Sequence, residues 1–301
     1  MNPTARGGLG LRLRPQIERA LADAGVEASI AETASAGHTV DLARQAVRDG
    51  VGIIAAAGGD GTIHDVANGI LQATEDSPSA VALGIIPIGT GNDFAKVVPG
   101  AARWAAAVRT IAAGRSTPYD VGIARWGNQR EYFLNAIGTG VDVEVVRQIQ
   151  RLGRGTGPLV YLEGLFRALA RYRALPLSIT ADGTLQDRKI VLAAVSNGRC
   201  VGGMFRIAPG ASPADGRLDL CVVEDMPMVS QLALVPRILR GTHVSSRRVE
   251  SRLVRAVVLR VPAGLPLYFQ IDGELREPAG VRELRVDVMP GRLRVVSRAE
   301  T

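Results

Sequence analysis

The sequence predicts two parts: an α/β N-terminal domain over residues 1–117, built on an open, mainly parallel three-layer sheet, and a mostly antiparallel, β-sandwich-like domain over residues 118–301. Three observations predict this. Through the first third, short apolar runs alternate with helical patterns, as parallel strands and their crossover helices do. After Ser116–Pro118, β-like runs dominate and turn dipeptides punctuate them. Two of the early apolar runs also end in glycine-rich turns, "AAAGGDGTIHDVANGI" from Ala55 to Ile70 and "IIPIGTGNDFAK" from Ile85 to Lys96. That is the strand edge where open α/β sheets bind ligands.

In chain order, the pattern predicts a helix over Leu11–Ala24, a strand over Val26–Ile30 and a helix over Thr39–Arg48. A strand over Gly52–Ala57 follows, then a helix over Ile63–Ala73 with Ile63, Val66, Ala67, Ile70 and Leu71 on one face. Thr62 and Asp65 read as its capping box. A strand over Ala82–Pro87 and a helix over Ala101–Ala113 complete the first domain. The second domain offers strands at Tyr119–Arg125, Glu131–Ile137, Leu175–Thr180, Lys189–Ser196, Leu218–Val223, Arg252–Val261 and Leu267–Ile271, then two short closing runs. Helices interrupt at Leu159–Tyr172 and Val229–Leu239. Turn signals fall at Gly127-Asn128, Asp182-Gly183, Asp215-Gly216 and Pro290-Gly291.

A chain of 301 residues, 47% hydrophobic and 22% charged, has material for two real cores. No apolar run is long enough to span a bilayer, and "MNPTARGG" lacks the apolar centre of a secretory signal. Cys200 and Cys221 show neither metal-ligand spacing nor a disulfide framework, and His38, His64 and His243 are scattered. A cytoplasmic protein is the expectation. The net charge of +7 suits nucleic acid, an anionic membrane surface or phosphorylated substrates, or simply a solvated basic face.

The glycines narrow that choice. Glycine permits positive φ and lets a ligand approach main-chain N–H groups, which favour phosphate together with the helix dipole. Asp60 would repel a bare phosphate unless a divalent cation or water mediates. One such turn is also an ordinary strand-to-helix connection. Two at the same end of adjacent parallel strands can face one nucleotide from two sides. Neither a G-x-x-x-x-G-K-[ST] loop nor a G-x-G-x-x-G fingerprint after a strand is present.

These motifs resemble the diacylglycerol kinase catalytic-domain family, specifically its soluble bacterial lipid kinases. The resemblance runs through "NPTA" at Asn2–Ala5, Thr33 with "GHTVDLA" at Gly37–Ala43, "GGDGTIHDVANGI" at Gly58–Ile70 and "PIGTGNDFA" at Pro87–Ala95. It continues with "LNAIGTGVDVEV" at Leu134–Val145, "VSNG" at Val195–Gly198, "GG" at Gly202-Gly203, "IAPGASPADGRLDL" at Ile207–Leu220 and "DGE" at Asp272–Glu274. It implies ATP-dependent phosphorylation of a lipid hydroxyl with Mg²⁺, with diacylglycerol or a related lipid alcohol as the first choice of acceptor. It carries nucleotide contact onto Asn2, Pro3, Thr4, Ala5, Arg6, Thr33, Gly58, Gly59, Asp60, Gly61, Thr62, Ile63, His64, Asp65, Gly89, Thr90, Asn92 and Asp93. It assigns a structural Mg²⁺ to the loop of Ser212, Asp215 and Arg217, where Asp215 is the side-chain carboxylate. It makes Glu274, with Asp272, the proton acceptor, while Asp60, Asn92 and Asp93 help order a catalytic Mg²⁺ partly through water.

Physical reasoning from the residues runs alongside. Phosphoryl transfer needs positioning, charge neutralisation and a group that takes the acceptor's proton. If the chain stays extended through Asp272-Gly273-Glu274, both carboxylates share a face and raise one another's affinity for a proton. Asp-Gly is equally a type I′ hairpin signal, the reading given to Asp182-Gly183. Catalysis is then expected to draw on both domains, Asp60 from the first and Glu274 from the second.

Two departures from the family pattern stand out. Met1 directly precedes Asn2 where family members begin with an apolar strand, so that first strand is expected to be missing. Arg6 stands where the family more often has glycine, and would either clash with the cradle or contact a phosphate. The basic, amphipathic stretch Gln148–Leu175 suits peripheral docking on an anionic bilayer, or equally an ordinary helix packed on its own domain. No nucleic-acid partner is expected, and a homodimer stays open. The alternatives are a catalytically inactive nucleotide-binding regulator and NAD kinase, whose GGDG turn is shared but which "PIGTGNDFA" fits less well.

Overall fold

The structure is a computed structural model that describes residues 1–35, 37–74, 80–152 and 158–298. It divides into one unit of Met1–Tyr119 with Gly291–Thr301 and a second unit of Asp120–Pro290.

The first unit opens with helix α1 (Ala5–Asp23) and α2 (His38–Arg48), then alternates β1 (Ile53–Gly58), α3 (Asp60–Ala73), β2 (Ala82–Pro87), a 3₁₀ turn at Phe94–Lys96 and α4 (Trp104–Ala112). β1 and β2 pair in parallel from Ile53↔Ala82 to Gly58↔Pro87. Alternation along these strands splits their side chains between two faces. Ala57, Ala82, Ile86 and Ile88 join Ile17 and Leu21 of α1 and Val108 and Ile111 of α4 in one core. The intervening residues Ala56, Leu83 and Ile85 are equally buried, and α3 packs on both strands with α2 behind it. Gly69 allows that second contact: a Cβ there would lie 2.6 Å from Ala43 Cβ and from Val40 O.

The second unit carries β3 (Ser116–Trp126, begun in the first), β4 (Gln129–Phe133), β5 (Ala136–Gly140), α5 (Val141–Leu152), α6 (Pro158–Arg171), β6 (Leu175–Ala181) and β7 (Thr184–Ser196). β8 (Leu218–Glu224), α7 (Met228–Arg240), β9 (Val249–Val254), β10 (Ala256–Arg260), β11 (Phe269–Ile271), β12 (Glu274–Arg276) and β13 (Glu283–Val296) follow. Antiparallel pairings run through it: β3 with β4, β5 with β7 and β11, β6 with β7 and β10, β7 with β8, β8 with β9, β10 with β13, and β11 with β12. Trp126, Phe133, Leu177, Val195, Leu220, Phe269 and Val286 fill the core enclosed by these strands. A separate core holds α5, α6 and α7 against β7 and β8. At its far end β13 returns to the first unit, where Arg294 and Val295 pair in parallel with Ala82 and Leu83.

Several local expectations are corrected. Residues 26–30 form no strand: they are largely exposed, and the neighbouring hydrogen bonds are Thr33 N–H to Met1 O and the Met1 amine to Ala31 O. The capping box at Thr62 and Asp65 is absent. Helix α3 starts earlier, at Asp60 with Gly59 at the N-cap, so the aspartate lies in the first turn where the helix dipole favours it. Pro290-Gly291, read as a turn signal, lies inside the single strand β13, with Gly291 at φ +59°. Each of the predicted strands 131–137 and 252–261 is broken in two for one physical reason. An aspartate in a left-handed turn takes the N–H groups at the break: Asp272 those of Leu134, Asn135 and Ala136, and Asp182 those of Arg255 and Ala256.

Candidate functional site

In the first unit, segments far apart in sequence meet at the carboxyl ends of β1 and β2. Asn2 N–H donates to Ala57 O, and Asn2 Nδ2 reaches Thr62 Oγ1 at 3.4 Å, which joins the "NPTA" turn to the start of α3. Asn2 Oδ1 in turn accepts from Thr4 N–H and Thr4 Oγ1 at 3.0 and 2.9 Å. Thr33 N–H donates to Met1 O and brings that residue alongside. The two glycine-rich turns touch main chain to main chain: Ile88 and Gly89 N–H both donate to Gly58 O. A Cβ on Gly89 would stand 2.4 Å from Gly59 Cα, and one on Gly58 would stand 2.2 Å from Thr62 Oγ1. Only glycine permits this approach. Asp60 Oδ1 locks the second turn by accepting from Asp93 N–H at 2.6 Å.

The cradle fits an anionic ligand that brings its own donors or a cation. Asn92, at φ +50°, spends its Nδ2 on Gly89 O at 2.9 Å and leaves a buried Oδ1 with no partner. A buried acceptor left unmatched is costly and marks a contact awaiting a ligand. The Asp93 carboxylate is buried and paired with Lys96 Nζ at 2.8 Å. Ile63 and His64 are buried inside α3, where His64 Nε2 meets Asn68 Nδ2 at 3.2 Å. Gly61, Asp65 and Thr90 are half-buried at the same edge, beside buried Ala5 and half-buried Pro3.

Arg6 explains its own oddity. Arg6, Gly7 and Gly8 have φ of +49°, +68° and +90° in succession, so Arg6 occupies a left-handed position that a glycine would hold without strain. Its side chain is exposed rather than folded into the cradle. The step from right-handed Ala5 to left-handed Arg6 is the αR–αL pairing that forms an anion nest.

In the second unit, the loop assigned to a structural metal is bound to Asp120. Asp120 Oδ2 accepts from Gly216 N–H at 2.6 Å and Asp120 N–H donates to Pro213 O at 2.7 Å. Asp215 is exposed and accepts from Arg217 N–H at 2.9 Å, and Ser212 is half-buried. Burial, with the Asp215 charge nearby, pushes the Asp219 carboxyl up to about 6. Among the described residues no group of three or more His, Cys, Asp or Glu could hold a metal. A cation here would rest on Asp215 and on hydroxyl and carbonyl oxygens, the donor set of Mg²⁺ or Ca²⁺, and would relieve the Asp215–Asp219 repulsion.

Asp272 corrects the extended reading of "DGE". Asp272 and Gly273, at φ +47° and +89°, form the tight turn between β11 and β12. The Asp272 carboxylate is committed to main chain, accepting from Leu134, Asn135 and Ala136 N–H at 3.0, 2.9 and 2.9 Å. Glu274 lies just past the turn, exposed, with Arg276 at 3.2 Å. The turn also binds inward: Gly273 N–H donates to Gln270 Oε1 at 2.6 Å, and Gln270 Nε2 donates to Asp142 Oδ2 at 2.8 Å. Burial pushes the Asp142 carboxyl up to about 6, with the Gln270 bond opposing it.

Asp142, Gln231, Gln270 and Gly273 bring polar groups to a cavity, open at its mouth and otherwise walled mainly by apolar side chains of α5, α6, α7, β7, β8 and residues 201–207. Tyr161, Leu165, Phe205, Leu234 and Val235 are among these. Gln148–Leu175 contributes accordingly: Tyr161, Leu165 and Leu169 face the cavity, Arg167 pairs with Glu163 at 2.7 Å on the outside, and Arg154 lies outside the described residues. The sequence left Asp142, Gln270 and Asp120 unassigned. "GTGVD" quoted the first without a role, and no spacing links it to residue 270.

The diacylglycerol kinase catalytic domain model matches residues 1–124, and the YegS C-terminal NAD kinase beta sandwich-like domain model matches residues 135–297. A diacylglycerol kinase of Bacillus subtilis (strain 168) is 30% identical over 276 residues, covering 91% of this chain and 88% of that one. This chain belongs to the diacylglycerol kinase catalytic-domain family. A diacylglycerol kinase of Staphylococcus aureus (strain JH9) is 28% identical and covers 91% of this chain and 84% of its own. A diacylglycerol kinase structure from Bacillus anthracis str. Sterne superposes with TM-score 0.71 at 21% identity, covering 99% and 94% of the two chains. A second structure from that organism gives 0.79 at 24%, covering 99% and 93%. At those identities the likeness shows the fold. Family membership makes the chain a phosphotransferase with an alcohol acceptor. No helix among the described residues is long and apolar enough to cross a membrane.

Proposed function

We propose that this chain is an ATP- and Mg²⁺-dependent lipid kinase that transfers the γ-phosphoryl group to the hydroxyl of diacylglycerol or a related lipid alcohol, working in the cytoplasm at a membrane surface. The observation that carries the lipid part is the apolar cavity, lined in part by Gly273 of the turn bearing Glu274 and by Gln270, which that turn's Gly273 N–H binds. An alkyl chain in the cavity would leave the acceptor's polar end beside Gln270, Asp142 and Glu274. Glu274, exposed and held by the turn, takes the hydroxyl proton as the acceptor oxygen attacks. Asp272 positions that turn through its three main-chain bonds.

On the nucleotide side, the Asn2–Arg6 nest, Thr33 and the glycine turns would grip phosphates and ribose through N–H groups, while Asn92 Oδ1 accepts a ligand donor. Asp60 would stand at the N-terminus of α3 as the nearest carboxylate for a nucleotide-bound cation. Mg²⁺, when bound, would neutralise charge developing on the phosphoryl oxygens, and Asp215 with its loop oxygens would hold a second, structural ion. Incubation with γ-labelled ATP and a panel of lipid alcohols tests this: label should appear in extracted lipid phosphate. ATP binding with no labelled lipid would select the inactive regulator instead.

A further inference from the structure

Helix α7, "MVSQLALVPRILR", is apolar on both sides. Its inner face supplies Gln231, Leu234, Val235 and Ile238 to the cavity. Its outer face carries Met228, Val229 and Leu232, exposed by 45%, 79% and 37%, and the stripe continues through exposed Ala233 and Pro236. A helix apolar all round is buried in protein or in lipid, and this one lies at the surface of its unit. Phe166, 46% exposed, is a further exposed apolar side chain, on α6, which packs against α7.

The C-terminal end of α7 is basic. Arg237 bonds only neutral groups, Thr242 O at 3.2 Å and Ser245 Oγ at 3.0 Å. Arg240 is exposed at the last turn, and Arg206 lies beside Gly241, which caps the helix. Among the described residues none of these arginines makes an ion pair. Exposed apolar side chains ending in unpaired guanidinium groups match the acyl boundary and the anionic headgroups of a bilayer.

We propose that the outer face of α7, with Phe166, is the membrane-docking surface, and that it inserts shallowly into an anionic bilayer while the inner face of the same helix walls the acceptor cavity. This rests on the lipid-kinase reading for its purpose, but its test does not. One helix then contacts lipid on both sides, so an acyl chain leaves the bilayer along α7 without crossing water. The basic stretch Gln148–Leu175 contributes to docking chiefly through Phe166.

The test uses the full chain and vesicles of phosphatidylglycerol and phosphatidylcholine. Val229→Glu with Leu232→Glu should weaken vesicle co-sedimentation at least about tenfold, since each glutamate must enter the headgroup region against an anionic surface. Phosphorylation of long-chain diacylglycerol in vesicles should fall in parallel. Phosphorylation of a short-chain diacylglycerol free in solution should stay within about twofold, because neither residue lines the cavity. A second variant, Val229→Trp, should show blue-shifted emission on phosphatidylglycerol vesicles, a readout independent of phosphoryl transfer.

Unchanged co-sedimentation of the double variant, or no emission shift, overturns the proposal. So does a wild-type dimer that the double variant dissociates while vesicle binding persists, for then a second copy covers α7. A wild type that binds vesicles but phosphorylates no lipid alcohol contradicts the kinase reading and leaves the docking surface supported.

Discussion

Replacing Asp272 with alanine decides whether that carboxylate holds the turn or reacts. The substitution strips the acceptor from Leu134, Asn135 and Ala136 N–H, now at 3.0, 2.9 and 2.9 Å. Hydrogen bonds to an ionised group contribute about 1.5–3 kcal/mol each when buried. Asp272 is half-buried, so water replaces part of this and the set loses about 3 kcal/mol. Aspartate and alanine both carry a Cβ at φ +47°, so the substitution itself adds no backbone strain. Asp272→Ala should therefore cost about 3 kcal/mol, and Asp272→Gly about 1 kcal/mol less, because glycine adopts the conformation freely. Urea unfolding followed by tryptophan fluorescence reads both, since Trp126 packs edge-on against Phe269 of β11, with ring centroids 5.1 Å apart. A loss below about 1 kcal/mol in Asp272→Ala, with turnover reduced a hundredfold or more, would refute the positioning role and make Asp272 a reacting group.

Gly89→Ala should raise the ATP dissociation constant about tenfold or more, roughly 1.4 kcal/mol, because its Cβ would meet Gly59 main chain at 2.4 Å; calorimetric titration within twofold of wild type contradicts the touching turns. Arg6→Gly should raise stability by about 1 kcal/mol while Arg6→Ala does not, since only glycine relieves φ +49°; equal urea midpoints for the two would contradict the strain. Asp142 carries a pH signature. Its folded-state carboxyl titrates near 6, above the ordinary 3.8, so its contribution is fully present below about pH 4 and lost as pH rises through about 6. Asp142→Asn should thus stabilise the protein by about 2–3 kcal/mol at pH 8 and by little at pH 4; a gain independent of pH would contradict burial as the cause.

What the sequence revealed follows from how local its signals are. The strands and helices of the first unit are written in runs of apolar residues, and the glycine pairs at Gly58-Gly59 and Gly89 marked the cradle because close main-chain contact allows no other residue. The strand expected at residues 26–30 failed because alternation gives a strand a face but not a partner. Asp272 was misread as an extended carboxylate because nothing local says that three N–H groups from residues 134–136 will claim it. The Asp142–Gln270 contact joins positions 128 apart, and the cavity they flank is made by three helices meeting two strands. Such features exist only in the folded chain. Arg6 lies between these cases: its departure from glycine was visible, but the left-handed φ that makes it costly was not.

The most direct measurement is single-turnover transfer of label from γ-labelled ATP to diacylglycerol by Glu274→Gln beside the wild type. If the second unit supplies the group that takes the acceptor's proton, the variant binds ATP as tightly as wild type but transfers at least about a hundredfold more slowly. Transfer within about tenfold of wild type, at unchanged ATP affinity, would mean that Glu274 does not play that part.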